Sequence, residues 1–156
     1  MIRRATTVDK PALIALADAI GLFSTEELDE LQQMMVDSLS DRDEARSFWV
    51  TDDDDGLMGL AYCEPERMTQ GTWNLQLIAV HPAQQRRGRG AALLNFVEQH
   101  LINREARILL VETMGTPEFE YARAFYRKNG YTEEARIRDF YADGADKVVF
   151  RKALSI

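Results

Sequence analysis

One stretch of this sequence decides the fold. It reads Ile78-Ala79-Val80-His81-Pro82, then Gln85-Arg86-Arg87-Gly88-Arg89-Gly90, and it runs on into the apolar pattern of Ala91, Leu93, Leu94 and Val97. This order predicts an extended segment that stops at a proline, a short loop rich in arginine and glycine, and a helix that begins at once. The first turn of such a helix has about four backbone N–H groups without an intrahelical partner and about half a positive charge from the macrodipole.

The composition of the loop adds to this anion-binding character. Gly88 and Gly90 have no Cβ, so a bulky phosphate can approach the main chain closely. The guanidinium groups of Arg86, Arg87 and Arg89 offer charge-assisted hydrogen bonds. We therefore predict a diphosphate site at this helix start; the alternative is a glycine-containing turn with solvated arginines.

Length and composition predict one domain over residues 1–156, since 156 residues with 46% hydrophobic content are enough for a substantial core. No apolar run is long enough for a membrane helix, and the N-terminus lacks a signal-type apolar core. Cys63 is the only cysteine, so a disulfide within the chain is impossible. The two histidines, His81 and His100, lie 19 residues apart, which argues against a metal site. We expect a cytoplasmic protein that binds no metal and does not associate with a membrane.

The net charge of −7 argues against nucleic acid as a partner. The charges are unevenly placed: residues 24–55 contain twelve Asp or Glu against Arg42 and Arg46, whereas residues 82–107 contain five arginines against Glu98 and Glu105. This asymmetry suits a polyanionic cofactor together with a cationic substrate. For the acidic half, the alternative is a solvated face with a hairpin turn at Asp52–Gly56.

Hydrophobic periodicity and turn signals predict a series of elements along the chain. They are a strand at 2–5, a helix between Asp9 and Gly21, a second helix that Ser24 and Glu27 cap and whose buried stripe is Leu28, Leu31, Met35 and Leu39, a hairpin of strands 46–51 and 57–64, a strand at 72–81, a helix at 89–103, a buried strand at 108–111, a helix from Thr116 to Asn129 with Phe119, Ala122, Phe125 and Tyr126 on one face, and strands 131–140 and 146–153 joined at Asp143-Gly144. The strand, helix and strand over 72–111 indicate a right-handed crossover.

This order of elements resembles the GNAT superfamily of acetyl-CoA-dependent N-acetyltransferases over essentially the whole chain. Gln85-Arg86-Arg87-Gly88-Arg89-Gly90 resembles the family's acetyl-CoA signature, and Ala122-Arg123-Ala124-Phe125-Tyr126-Arg127-Lys128-Asn129-Gly130-Tyr131 resembles its second signature. The resemblance implies an α/β (α+β) fold of GNAT type, with a mixed, mostly antiparallel central sheet of about six to seven strands and about four helices.

The resemblance also implies how acetyl-CoA is held. Main-chain groups of the strand before the loop would contact the pantetheine arm in a gap between this strand and the one at 108–113. An N–H near Val80 would stabilise the oxyanion. The N–H groups of Arg86 through Ala91 would hold the diphosphate. The implied cofactor-binding residues are Ile78, Ala79, Val80, Gln85, Arg86, Arg87, Gly88, Arg89, Gly90 and Ala91. One feature departs from the family, because Phe119 stands seven residues before Tyr126 where many members have a cofactor-binding asparagine.

Two residues are candidates for catalysis, Tyr126 from the resemblance and Glu112 from its position in the sequence. Tyr126 would act as general acid toward the departing thiolate. The alternative role of Tyr126 is that of a core aromatic on the helix face. An amine must lose a proton to attack, and a lysine-like amine with a pKa of about 10.4 is only about a thousandth deprotonated near neutrality. Glu112 is the best candidate base and could equally be a surface carboxylate. The strand at 72–81 has no carboxylate, and its polar candidates on one face are Asn74 and Gln76.

The resemblance implies direct transfer of an acyl group from CoA to an amine. The acceptor, a small molecule or a protein amine, is left open, and Asp139–Tyr141 and Asp143-Gly144 either line its pocket or form a plain hairpin. No acyl-enzyme is needed, so Cys63 is interpreted as a small buried hydrophobe. A non-catalytic acetyl-CoA-binding sensor or scaffold is the alternative function, and pairing of two copies through the C-terminal strands is a further possibility.

Overall fold

A computed structural model describes residues 1–39 and 46–154 of the chain, with seven strands and four α-helices in that part. The strands are β1 (Ile2–Arg4), β2 (Phe48–Asp53), β3 (Leu57–Pro65), β4 (Thr72–Val80), β5 (Ile108–Met114), β6 (Thr132–Ala142) and β7 (Ala145–Ala153), and the helices are α1 (Lys10–Ile20), α2 (Thr25–Ser38), α3 (Arg89–Ile102) and α4 (Glu120–Lys128). The sheet order is β1-β2-β3-β4-β5-β7-β6. The predicted mixed, mostly antiparallel sheet with about four helices is confirmed.

The chain divides into two compact units, of which the first contains Met1–Glu64 and Leu77–Gln99. Its core lies between α1, α2 and the strands β2 and β3, with Leu13, Leu16, Leu31, Met35, Trp49 and Leu60 among the buried side chains. The predicted cap of α2 is present, since Ser24 Oγ accepts from the Glu27 N–H at 3.1 Å and Glu27 Oε1 accepts from the Ser24 N–H at 3.0 Å. Gly21 ends α1 in the left-handed region at φ +76°, as its position after the apolar stripe predicts.

The second unit contains Pro65–Gln76 and His100–Ile156. In it, β4 pairs in parallel with β5 from Thr72 and Ile108 to Leu75 and Val111. The pairs β5–β7 and β6–β7 are antiparallel. Its buried side chains include Trp73, Leu75, Leu109, Val111, Tyr126, Tyr131, Val148 and Phe150. The predicted turn at Asp143-Gly144 joins β6 to β7, with Gly144 at φ +79°.

The acidic hairpin differs from its prediction. The sequence predicts a turn at Asp52–Gly56, but Asp52 and Asp53 are the last two residues of β2. Asp52 pairs with both Ile2 of β1 and Gly59 of β3 and is only 5% exposed. A carboxylate tolerates this burial only with a charged partner, and Arg89 supplies one at 2.9 Å.

Two boundaries near the candidate catalytic residues also differ. β5 extends to Met114, because its antiparallel ladder with β7 continues to the pair Met114 and Lys147, so Glu112 lies inside the strand instead of at its end. α4 begins at Glu120 and not at Thr116, because Pro117–Phe119 form a separate 3-10 turn. A proline at the first position of such a turn satisfies the sequence signal without continuing as α-helix.

The start of α1 provides a test of the electrostatics of the first unit. Asp9 accepts from both terminal nitrogens of Arg3, at 2.8 and 2.9 Å, and from the Thr6 N–H at 2.8 Å. The Arg3 hydrogen bonds lower the pKa of Asp9 from 3.8 to about 2. Since the folded-state pKa is depressed, this contribution to stability is present above about pH 4 and is lost as the pH falls toward 2.

We expect Asp9→Asn to lower the free energy of unfolding by about 1 to 2 kcal/mol at pH 7. Urea unfolding of both proteins between pH 7 and pH 2 checks this, with the difference between them shrinking below pH 4. Asp29→Asn, at an exposed position in α2, is the matched control. A difference that persists unchanged at pH 2 would contradict the ion-pair interpretation.

Candidate active site

The predicted diphosphate site lies in the first unit, in the loop and first turn that we call the anion cradle (Gln85–Ala91). α3 begins at Arg89. The Ala92 N–H donates to the Gly88 carbonyl at 3.0 Å, as the i to i−4 pattern of a helix requires. Helix geometry therefore leaves the N–H groups of Arg89, Gly90 and Ala91 without an intrahelical acceptor. This is the arrangement that binds anions at helix N-termini.

Gly88 keeps the main chain accessible. Its φ is +78°, a backbone conformation that residues with a side chain rarely adopt. A Cβ added there would meet no atom within 4 Å. The protein itself thus leaves the space beside Gly88 open. Arg86 also lies in the left-handed region, at φ +64°. Two such residues turn the loop sharply just before the helix.

The end of β4 and the loop after it are fixed by hydrogen bonds. Gln85 Nε2 donates to the Val80 carbonyl at 3.1 Å, and the His81 N–H donates to the Met58 carbonyl at 2.8 Å. His81 Nδ1 accepts from the Ala83 N–H at 3.1 Å, which caps the short 3-10 turn at Pro82–Gln84. His81 and Gln85 therefore have local structural roles at the entrance to the cradle.

Gly59 of β3 lets the strand pack closely against α3 and β4, a role that sequence reasoning missed. A Cβ at this position would lie 2.7 Å from Leu93 Cδ1 of α3 and 3.2 Å from the Ala79 carbonyl oxygen of β4. The contact explains why glycine is required in the middle of this strand. No local turn signal could have shown it, because the crowding comes from residues distant in sequence.

The side chain of Arg89 forms ion pairs with the acidic hairpin. Its Nη1 donates to Asp52 at 2.9 Å and its Nη2 to Asp54 at 2.8 Å, and these hydrogen bonds raise the pKa of Arg89 and lower that of Asp54. Asp53 accepts from Arg3 at 3.0 Å. The acidic run is thus neither a purely solvated face nor a free surface for a substrate. The remaining predicted charges at 41–44 lie outside the described residues.

Glu112 lies in the second unit at the centre of a polar network. Its Oε2 accepts from Asn74 Nδ2 at 3.0 Å, and its Oε1 accepts from Lys147 Nζ at 2.9 Å. Asn74 Nδ2 also donates to Glu66 Oε1 at 3.0 Å. Lys147 Nζ lies 4.3 Å from the centre of the Phe140 ring. Glu112 is therefore held in a defined position and is no isolated surface carboxylate.

Sequence reasoning missed Glu66 and Lys147. Glu112 pairs with Val149 across the β5–β7 ladder, so Lys147 occupies the diagonal position on the same face. That neighbour could be found from the sequence only if the register of the two strands were known. Asn74 is a polar residue in an apolar strand and is only 2% exposed. A buried side-chain amide requires hydrogen-bond partners, which Glu66 and Glu112 supply.

Tyr126 lies in the second unit on α4 and is 7% exposed. Its ring centre lies 5.5 Å from that of Phe125, 6.0 Å from that of Tyr131 and 5.6 Å from that of Phe150. Burial raises the pKa of the Tyr126 hydroxyl above its ordinary value of 10.0. The hydroxyl thus keeps its proton at neutral pH, as a general acid must. The packing expected of a core aromatic is also present, and one residue can serve both purposes.

Two further sequence expectations concern Phe119 and Cys63. Phe119 is half-buried and stacks on Tyr121, with ring centres 6.5 Å apart. Cys63 is buried, and desolvation raises the pKa of its thiol. A thiol that resists ionisation is a poor nucleophile, which agrees with its interpretation as a small core residue.

Other kinds of site can be assessed for the described residues, 1–39 and 46–154. Within these ranges, no group of three or more His, Cys, Asp or Glu side chains is placed to hold a metal ion. No helix in the same ranges is both long enough and apolar enough to cross a membrane.

Comparisons with known proteins agree with this geometry. The sequence model of the acetyltransferase (GNAT) domain matches residues 44–133. A search of curated proteins found no match. Among solved structures, a GNAT-family protein from Desulfovibrio desulfuricans is 30% identical, with a TM-score of 0.92 and coverage of 99% of both chains.

Two other solved structures share the fold at lower identity. The ribosomal-protein-S18-alanine N-acetyltransferase of Escherichia coli is 22% identical with a TM-score of 0.77, covering 100% of this chain and 94% of the other. An aminoglycoside 6'-N-acetyltransferase in complex with coenzyme A is 17% identical with a TM-score of 0.77, covering 100% and 98%. The family match and the Desulfovibrio structure confirm the resemblance predicted from the two signatures: the chain belongs to the GNAT family and is an N-acetyltransferase.

Proposed function

We propose that this enzyme uses acetyl-CoA as acyl donor and that the anion cradle binds the donor's diphosphate. The observation that carries the proposal is the helix start at Arg89, where three N–H groups lack an intrahelical acceptor beside the open space at Gly88. In this proposal Gln85, Arg86, Arg87, Gly88, Arg89, Gly90 and Ala91 hold the phosphates. Arg89 contributes its N–H, because its guanidinium is bound to Asp52 and Asp54.

The main chain of Ile78, Ala79 and Val80 binds the pantetheine arm. The hydrogen-bonded ladder of β4 with β5 runs from Thr72 to Leu75, so these three residues lie in the part of β4 beyond it. An extended arm can accept and donate main-chain hydrogen bonds there as an added strand does. An N–H at or near Val80 would stabilise the oxyanion of the tetrahedral intermediate.

The second unit supplies the proton transfers. Glu112 removes a proton from the acceptor ammonium and passes it to solvent, and the free amine attacks the thioester carbon. The attacking nitrogen loses its second proton to solvent, and the tetrahedral intermediate collapses with loss of the thiolate. Tyr126 gives its proton to that thiolate and regains one from solvent. The products are the N-acetylated amine and CoA, and a direct transfer of this kind needs no covalent enzyme intermediate.

The acceptor is an amine of a small molecule or of a protein. The fold is shared with enzymes named for aminoglycosides and for a ribosomal protein, so both acceptor classes are compatible with it. The ion pairs of Asp52, Asp53 and Asp54 remove one argument for a strongly cationic acceptor. A single domain over residues 1–156, a cytoplasmic location and pairing of two copies stay predictions.

Thiol release from acetyl-CoA in the presence of an amine panel tests this function. The panel contains polyamines, amino acids, aminoglycosides, and peptides with free N-termini or lysines. We expect release that depends on both the enzyme and one class of amine, with the acetylated product detected by mass spectrometry. Binding of acetyl-CoA without release for any amine would contradict the proposal and favour a sensor or scaffold.

Replacement of Gly88 tests the cradle. We expect Gly88→Ala to weaken CoA binding about 10-fold or more, because the new methyl group occupies the space beside the main chain and a charge-assisted hydrogen bond is worth about 1.5 to 3 kcal/mol. Isothermal titration calorimetry with CoA measures the change.

Gly21→Ala is the matched control for Gly88→Ala. Gly21 has φ +76°, and a Cβ there would also meet nothing within 4 Å, so both variants carry the same backbone strain. We expect CoA affinity to stay unchanged in the control. Equal affinities for the two variants would show that no ligand approaches Gly88.

A further inference from the structure

Arg123 is a buried cation that neither the two signatures nor the proposed reaction explains. It lies on α4, is 6% exposed, and directs its guanidinium to the end of β5. Nη1 donates to the Met114 carbonyl at 2.6 Å and to the Thr116 carbonyl at 2.9 Å. Nε and Nη2 donate to Glu120 Oε2 at 3.2 and 2.8 Å.

These contacts are more than an ion pair on the surface. A buried guanidinium is tolerated only when its donors are satisfied, and two of its acceptors are main-chain oxygens in the segment where β5 stops and the 3-10 turn begins. Carbonyls at the end of a strand have lost their ladder partners and must find donors elsewhere. Arg123 therefore ties the end of β5 to α4 through the main chain.

The two tied elements carry the two proposed catalytic residues. Met114 lies two residues after Glu112, and successive even positions of a strand share a face. Tyr126 lies three residues after Arg123, nearly one helical turn further along α4, and both side chains are buried. A shift of α4 relative to the end of β5 would thus change the separation of the general acid and the base.

We propose that Arg123 is a positioning residue, which fixes α4 and the end of β5 so that Tyr126 and Glu112 keep the separation that acyl transfer requires. The inference rests on the proposed roles of those two residues. Arg123 acts through its hydrogen bonds to the carbonyls of Met114 and Thr116.

The test compares Arg123→Ala and Arg123→Lys with Glu120→Gln. Glu120 is exposed, and its replacement removes the ionic partner of Arg123 while leaving both carbonyl contacts in place. We expect Arg123→Ala to lower kcat by about 10- to 100-fold, the effect typical of a misplacement of about 1 Å, with little change in the KM for acetyl-CoA. Glu120→Gln should keep wild-type kcat.

Guanidinium ion added at non-denaturing concentration separates positioning from a general loss of structure. It fits the space that Arg123→Ala leaves and should restore part of kcat in that variant, but none in Tyr126→Phe. If Arg123→Ala does not fold, Arg123→Lys carries the test, because lysine keeps the charge but lacks the fork that reaches two carbonyls. We expect its kcat to fall with KM unchanged.

Wild-type kcat in Arg123→Lys, or in a folded Arg123→Ala, overturns the positioning role. A fall in kcat of Arg123→Ala that guanidinium does not restore, or a similar fall in Glu120→Gln, overturns it as well. These outcomes leave the proposed function intact when the wild-type enzyme acetylates a panel amine. A wild-type enzyme that acetylates none of the amines overturns both.

Discussion

Tyr126→Phe is expected to lower kcat by about 10²- to 10⁴-fold while the KM for acetyl-CoA changes little, because the variant keeps the ring and loses only the proton donor. The aromatic contacts with Phe125, Tyr131 and Phe150 involve the ring and remain in the variant. Steady-state kinetics with a panel amine, together with CoA affinity from calorimetry, gives both quantities.

Tyr121→Phe is the matched control, since Tyr121 lies on the same helix but is 63% exposed. The pH profile adds a second check. Burial raises the pKa of Tyr126 above 10.0, so its proton is retained and no alkaline loss of activity below that pH should come from this residue. Equal losses of kcat and CoA affinity in Tyr126→Phe would assign the residue to packing or binding instead.

Glu112→Gln is expected to lower kcat about 100-fold at pH 7, because glutamine keeps the shape of the side chain and cannot take a proton from the acceptor. The loss should shrink as the pH rises, since a growing fraction of the acceptor amine is then free without help from a base. The ratio of wild-type to variant kcat between pH 7 and pH 10 measures this.

Glu118→Gln, at an exposed position, is the control for Glu112→Gln. Thermal unfolding of both variants is needed as well, because Glu112 accepts from Lys147 and Asn74 and its replacement leaves Lys147 without a counter-ion. A wild-type to variant ratio that stays constant across pH would speak against the base and in favour of a structural carboxylate.

Local sequence signals were sufficient for most of the fold. Ser24 and Glu27 cap α2, Gly21 ends α1, and Asp143-Gly144 joins β6 to β7, as the residue types at these positions predict. In each case the cause lies within a few residues of the feature. The start of α3 at Arg89 belongs to the same class.

The parts that could not be predicted depend on contacts between distant segments. The proline signal at Pro117 does not reveal that only one 3-10 turn follows it, and the acidic run does not reveal that Arg89 pairs with Asp52 and Asp54. Lys147 reaches Glu112 only because of the register between β7 and β5. The burial of Arg123 depends in the same way on the end of β5, whose Met114 carbonyl accepts from its guanidinium.

The position of the coenzyme diphosphate at the start of α3 is the central claim, and main-chain amides report on it directly. In a ¹⁵N–¹H correlation spectrum of the labelled protein titrated with CoA, the account predicts saturable shifts of the amide signals of Arg86 through Ala91, with Gly88 and Gly90 among them. Saturable CoA binding that leaves these amide signals unmoved would contradict it.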